Sequence, residues 1–279
     1  MRNLLSANFL RLKRNILIWG TLALSFGFGV WVAAAQVLEQ MKYGGFEDSP
    51  AFSRYTSVIG LVIAVFVSLF FGTEYSDGTI RNKLITGRSR VSIYLANLIT
   101  ASVCSLLFEI AYLAACFAVG APFMSSGLLR FLEVNPTVFW LTLAGTLVLV
   151  LAYSALFLLV TMNCARKTIS AVACILAAFA LLTAGLYLDG RLEAPEYVVD
   201  YIIMVDGIDR SEPVPNPQYL QGLEREIYQF LYDFIPGGQT VQYSKAAEGN
   251  LFMMPVYSLI IFLASTGAGA ALFRRKDLK

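Results

Sequence analysis

Between residues 73 and 90 the chain reads TEYSDGTIRNKLITGRSR, and six ionisable side chains, Glu74, Asp77, Arg81, Lys83, Arg88 and Arg90, crowd between two apolar runs. Charges so arranged suit either proton chemistry or contact with another molecule. The rest of the sequence argues against the first. There is no histidine, which excludes a Ser-His-Asp arrangement, a zinc-binding H-E-x-x-H and a histidine proton relay. No G-x-x-x-x-G-K-[ST] phosphate loop, G-x-S-x-G elbow or dinucleotide fingerprint occurs. The cysteines Cys104, Cys116, Cys164 and Cys174 have the spacing of neither a disulfide framework nor a metal site. A catalytic chain is not expected, and transport, signalling across a membrane or scaffolding remain.

The composition says what must position the strip. Hydrophobic residues make up 57% of the chain and charged residues 14%, against roughly a quarter charged in a soluble domain, and the mean hydropathy is +0.66. Runs near 16–38, 56–72, 93–119, 137–161, 168–188 and 251–273 approach or exceed the ~20 residues that cross a bilayer as helix. Backbone in lipid must satisfy its own hydrogen bonds, and the alternation of a membrane barrel is absent, so the fold class is an all-α membrane protein with six transmembrane helices. These runs divide the chain into 1–188 with 251–279 as the membrane domain, and 189–250 as a loop domain. Lys and Arg divide 14 to 7 between alternate sides. By the positive-inside rule the richer side, with both termini and the 73–90 strip, is cytoplasmic. The first run is too long for a signal-peptide core, so an uncleaved span is expected.

Locally, Ser76 or Asp77 can cap a short helix, Ile80 and Leu84 share one face with Ile85 beside them, and Gly87 is a ready stop. Either a solvated loop or a docking knob fits this pattern. At the N-terminus Leu5, Phe9, Leu12 and Ile16 recur along one helical face while Arg2, Arg11, Lys13 and Arg14 point largely elsewhere. Such a helix lies along a leaflet, its bases near anionic head groups. The tail RRKDLK, 274–279, reads as a basic stop after the last span.

The stretch from Asp189 to Asn250 carries eleven acidic against four basic side chains, net −7. EYVVDYIIMVDG reads as a strand. QYLQGLEREIYQFLYDF places Leu220, Leu223, Ile227, Phe230 or Leu231, and Phe234 on one helical face, with Pro213, Pro215 and Pro217 separating the two. A small extracellular α/β loop domain is the expectation, serving either as a vestibule or simply as an acidic surface. Glu109 stands in the middle of the third run, where an ionised carboxylate costs at least ~3 kcal/mol. It must face protein or water, on a translocation path or in a hydrogen bond to a neighbouring helix. The stripe of Phe66, Phe70 and Phe71 reads as packing.

The segment FGTEYSDGTIRNKLITGRSRVSIYLANLI, 71–99, resembles the one by which permeases of the ABC-2 exporter family are recognised: an acid, then Gly-Thr and basic residues before the third span. The six-span layout agrees, and only the 74–90 motif is specific. The resemblance implies a non-catalytic permease subunit, multi-pass in the bacterial cytoplasmic membrane, paired as a homo- or heterodimer around one pathway. It implies ABC ATPase subunits as partners, carrying ATP and Mg that this chain does not bind, and no nucleic acid. It implies a coupling helix in which Glu74, Asp77, Gly78, Thr79, Ile80, Arg81, Leu84 and Arg88 face or position the ATPase contact, and a connecting helix through residues 1–15. A signalling or scaffold protein is the alternative. An ion-driven transporter would need inverted repeats and more intramembrane charge.

Overall fold

The computed structural model describes residues 1–43, 51–123, 135–164, 166–199, 203–205, 208–210, 213–246 and 250–276. Among these residues the chain forms ten α-helices: α1 (Arg2–Arg14), α2 (Ile16–Tyr43), α3 (Thr56–Ser76), α4 (Thr79–Ile85), α5 (Arg90–Phe123), α6 (Pro136–Asn163), α7 (Lys167–Leu192), α8 (Gly222–Phe234), α9 (Pro236–Lys245) and α10 (Met254–Arg275). Six of them, α2, α3, α5, α6, α7 and α10, are long and apolar enough to cross a membrane. Each coincides with one of the six apolar runs. α3 continues past its run through Glu74, and α5 begins three residues before its own, at Arg90. The charged strip is therefore divided among two long helices and the short one between them.

α3 is the inner helix, packed between α6 and α7, while α6 also packs on α10 and α5, and α5 on α2. Its face carries Phe66, Phe70 and Phe71, all buried as the sequence suggests. Phe66 stacks on Phe70 and meets Phe108 of α5 edge-on at 4.9 Å. Helices in lipid gain nothing from burying apolar surface against each other, so close fit and hydrogen bonds must hold them.

The stretch from 189 to 250 is not wholly an outer domain. Its last helix, α9, is buried from Pro236 to Tyr243 and packs against α7, α6 and α3. A Cβ on Gly237 would lie 1.6 Å from the backbone oxygen of Leu181, a contact about 16 Å inward from the α7 end at Leu192. Only glycine permits that approach. Several polar side chains this brings inside find partners, although the Tyr243 hydroxyl has none among the described residues: Tyr153 and Thr240 share a 2.7 Å hydrogen bond, and Ser258 donates to Gln239 Oε1 at 2.5 Å. Irregular backbone at such depth is tolerated where protein surrounds it. Sequence reading missed α9 because PGGQTVQYSK has no apolar run.

Outside α9 the segment differs in detail too. The strand expected over EYVVDYIIMVDG becomes β1 (Tyr197–Val199) and β2 (Ile203–Val205), paired with β4 (Pro213–Pro215) and β3 (Ile208–Arg210) respectively. Residues 200–202, 206–207, 211–212 and 247–249 lie outside the described set, as do several acids in the −7 tally and the end of the basic tail. Pro213 and Pro215 thus lie within a strand at a sheet edge, where a missing N–H costs nothing. In α8 the expected apolar face is turned out: Leu223, Ile227 and Phe230 are exposed, and Tyr232 and Asp233 are buried.

Gly237→Ala is expected to lower the unfolding temperature of the detergent-purified protein, at about 1–3 kcal/mol for overpacking. The same change should open Thr240→Cys to a water-soluble thiol reagent that leaves Thr240→Cys alone unlabelled. Unchanged melting and labelling would place α9 outside the bundle.

Candidate functional site

Glu74 occupies the last turn of α3 and is 0% exposed. Its Oε1 accepts from Arg11 Nη1 and from Lys83 Nζ, each at 2.7 Å, and its Oε2 accepts from Asn97 Nδ2 at 3.0 Å. Around that carboxylate a second set of bonds closes the ring. Lys83 Nζ donates to Asn8 Oδ1 at 3.1 Å, and Asn8 Nδ2 donates to Asn97 Oδ1 at 2.8 Å and Thr100 Oγ1 at 3.3 Å. The other guanidinium nitrogen of Arg11 reaches Phe70 O at 3.1 Å, with the group 4.1 Å above the Phe70 ring. One buried anion thus joins α1, α3, α4 and α5. The arrangement is tolerable because both oxygens are used and both cations keep some contact with water.

The geometry of α4 follows from Gly78, whose left-handed φ of 65° turns the chain from α3 into α4 within two residues. Glycine at that place leaves no side chain to cap α4. The expected caps serve elsewhere: Ser76 Oγ donates to Thr73 O, and Asp77 ends α3. At the other end Gly87, φ 78°, stops the helix as expected.

This packing sorts the strip into inward and outward side chains. Glu74 and Ile80 face inward, Ile80 being 2% exposed, and Leu84 is half-buried against the same core. Thr79 and Gly78 are half-buried, whereas Asp77, Arg81 and Arg88 are exposed. The apolar side chain that α4 offers outward is Ile85, 81% exposed, with Arg81, Asn82 and Thr86 around it. Ile85 stands beside the Ile80–Leu84 face and points away from it. The four-residue spacing identified the inner face instead of the outer one.

α1 packs on the bundle with a face that only partly overlaps its apolar stripe. Its buried face is Leu4, Asn8 and Leu12 against α5, with Leu5 half-buried, while Phe9 and Ile16 are exposed. Asn8 belongs to that face because Asn97 and Lys83 satisfy it. Lys13 and Arg14 are exposed.

A second knot lies beside the first. Lys276 Nζ donates to Cys164 O at 3.1 Å, Met162 O at 3.2 Å and Tyr75 OH at 3.2 Å. Tyr75 OH donates to Met162 O, and Arg90 donates to Lys276 O. Burial pulls the Lys276 ammonium below the ordinary lysine range. The residue is thus a tie between α3, α6 and α10 more than a simple basic stop.

Glu109 is buried in α5, within electrostatic reach of Tyr55, Tyr112 and Cys116, and its Oε2 has no hydrogen-bond partner among the described residues. It lies farther along α5 than Asn97 and Thr100, and no hydrogen bond links it to the Glu74 ring among the described residues. At the other end of the bundle Lys245 of α9 reaches both oxygens of Asp189, at 2.7 and 2.8 Å, and Glu193 at 2.6 Å. Burial lowers the Lys245 pKa, but the hydrogen bonds to the two carboxylates outweigh it and leave the group raised.

Glu74→Gln leaves Arg11 and Lys83 side by side without their counter-ion. We expect a loss of about 3 kcal/mol, at the low end for a broken buried pair because both cations reach water. Adding Lys83→Met should restore part of it, which thermal unfolding of the single and double variants in detergent measures. Additive losses would mean that Glu74 and Lys83 are not coupled.

A family model described as ABC-2 family transporter protein matches residues 4–184, which takes in α1, the Glu74 ring, α4 and the first five long helices. No curated protein matches the chain. With six helices able to cross a membrane and the matched segment covering well over half its length, the chain belongs to the ABC-2 transporter family as a transmembrane permease.

Proposed function

We propose that the chain is the membrane subunit of an ATP-driven exporter, working as a dimer around one pathway and driven by ABC ATPase subunits that hold the ATP and Mg. One observation supports this most: α4 offers an exposed Ile85 ringed by polar and basic side chains while its inner face is fixed by Lys83 to Glu74. A knob that is free outside and anchored inside passes a push to α1, α3 and α5 and does not fold away under it. The ATPase contact is Asp77, Arg81, Ile85 and Arg88, with Glu74, Ile80 and Leu84 holding the helix in place. On this reading α1 lies along the inner leaflet, both termini face the cytoplasm of a bacterial cell, and the Lys245 end faces outward.

Ile85→Asp puts a charge where an apolar contact is made, without touching the permease core. With an ABC ATPase encoded beside this chain co-expressed, we expect that variant to purify as a folded permease that has lost most of its ATPase and its cargo-stimulated hydrolysis. Leu84→Asp should instead lower the yield of folded permease, since Leu84 packs inward. Retention of wild-type partner and hydrolysis by Ile85→Asp would reduce α4 to a solvated turn. Sidedness has its own test. Gln218 is exposed at the Lys245 end, so Gln218→Cys should react with an impermeant maleimide on intact cells, while Arg81→Cys should react only after lysis. The reverse pattern would invert the topology.

A further inference from the structure

The elbow between α1 and α2 has features that neither packing nor partner docking uses. A pocket of about 650 Å³ is lined there by Arg11, Arg14 and Asn15, and it ends at Ile16. Ile16 is also the first residue of an apolar groove of about 600 Å³ between α2 and α3, running by Gly20, Thr21 and Leu24 to Phe28, with Val58, Val62 and Val65 opposite. From Ile16 to Phe28 is about 18 Å of helix, close to the roughly 15 Å hydrocarbon depth of one leaflet. At its upper end the groove meets Tyr55, whose hydroxyl is occupied by Ser25 at 2.6 Å, so it ends on satisfied groups.

The level of this elbow in a bilayer is set by its own residues. Asn15 Oδ1 accepts from Leu17 N at 2.9 Å and begins α2, and the indole of Trp19 donates to Lys13 O at 3.0 Å while its ring is exposed. A tryptophan held so sits where head groups meet hydrocarbon. Arg14, exposed at the same level, has no ion-pair partner among the described residues. Arg11 lends its positive edge although Glu74 already engages it.

We propose that this elbow is a specific site for one anionic phospholipid, its phosphate at Arg14 and Arg11 and one acyl chain in the α2–α3 groove. A cationic pocket open into a leaflet-long apolar groove matches the two ends of such a molecule, whereas a zwitterionic lipid would supply only the chain. Through Arg11 the bound phosphate abuts the Glu74 ring, so the lipid braces the α1 anchor against α3. The inference stands apart from the ATPase reading.

The test is native mass spectrometry of the full chain released from nanodiscs of equal phosphatidylglycerol and phosphatidylcholine. Wild-type protein is expected to retain one phosphatidylglycerol per chain in preference to phosphatidylcholine. Arg14→Gln should cut that retention about fivefold, the equivalent of about 1 kcal/mol for one basic residue at the surface, and Arg14→Lys should restore it. Gly20→Leu fills the groove: nothing lies within 4 Å of a Cβ there, so folding and thermal unfolding in lipid-free detergent should be unchanged while lipid retention, and the stabilisation that added phosphatidylglycerol gives the wild type, are lost. Equal retention of the two lipids, or wild-type retention in both Arg14→Gln and Gly20→Leu, overturns the proposal. Loss of dimer in Gly20→Leu with lipid retained would give the groove to a second copy of the chain.

Discussion

A carboxylate with no contact with water must have its charge met within the protein, and Glu74 imposes that condition on four helices at once. Arg11 can reach it only if α1 lies across the end of α3, Lys83 only if α4 folds back under that end, and Asn97 only if α5 crosses at the same height. The two-residue turn at Gly78 is what makes the Lys83 approach possible. Replace the ion pairs by apolar contacts and several registers of α1 would serve equally, since apolar surface in or near lipid has little preference among partners. The buried charge selects one. The neighbouring Lys276 tie extends the same ordering to α6 and α10 with main-chain oxygens as acceptors.

What was legible in the sequence follows from which forces act locally. The six spans could be read because the bilayer demands some twenty apolar residues in a row whatever the tertiary fold, and Gly87 because a helix stop depends on its own φ. Glu74 could not be read as buried: a carboxylate in a polar stretch looks solvated until the helix before it is seen to run on, and its partners lie 63 residues before and 23 after it. The face of α1 that packs on the bundle was not legible for a related reason. Leu5, Phe9, Leu12 and Ile16 make the apolar stripe, while Asn8 faces the bundle because Asn97 and Thr100 satisfy it, which periodicity cannot register. α9 was hidden by the same blindness, since glycine and glutamine signal a loop unless the helices into which they fit are already in place.

The opposite end repeats the logic with different chemistry. α9 sits among α3, α6 and α7 because Gly237 lets its backbone touch that of Leu181, and Lys245 then closes the entry by bonding Asp189 at the end of α7. Here Gln239, Gln242 and Thr240 make the buried bonds, with the buried Asp233 of α8 accepting from Gln242 and Asn250. Val241 and Tyr243 pack into the apolar core beside these bonds, so α9 is fixed by close fit as well as by hydrogen bonds. The acids around Lys245 therefore hold the end of α9 as well as colouring a surface.

α3 connects these two ends. Near its start, Ser53 donates to Ser244 O of α9 at 3.1 Å, and at its finish stands Glu74. Between them it packs on α6 and α7, while Val58, Val62 and Val65 border the groove toward α2, so a shift at one end is guided by the α6 and α7 side. Coupling between ends requires a second arrangement that a ligand or partner favours by differential contact, and spatial continuity alone does not establish it. The structure constrains what that second arrangement can be. If α4 tilts, either Lys83 leaves Glu74, stranding a buried carboxylate beside Arg11 alone, or the whole ring moves with it. The first course costs the Lys83 ion pair and the second keeps it, which favours α1, α3, α4 and the lower part of α5 shifting as one body. Such a shift would meet α9 where Ser53 bonds Ser244 O, and a single neutral hydrogen bond there is weaker than the Glu74 ion pairs and would be the one to break.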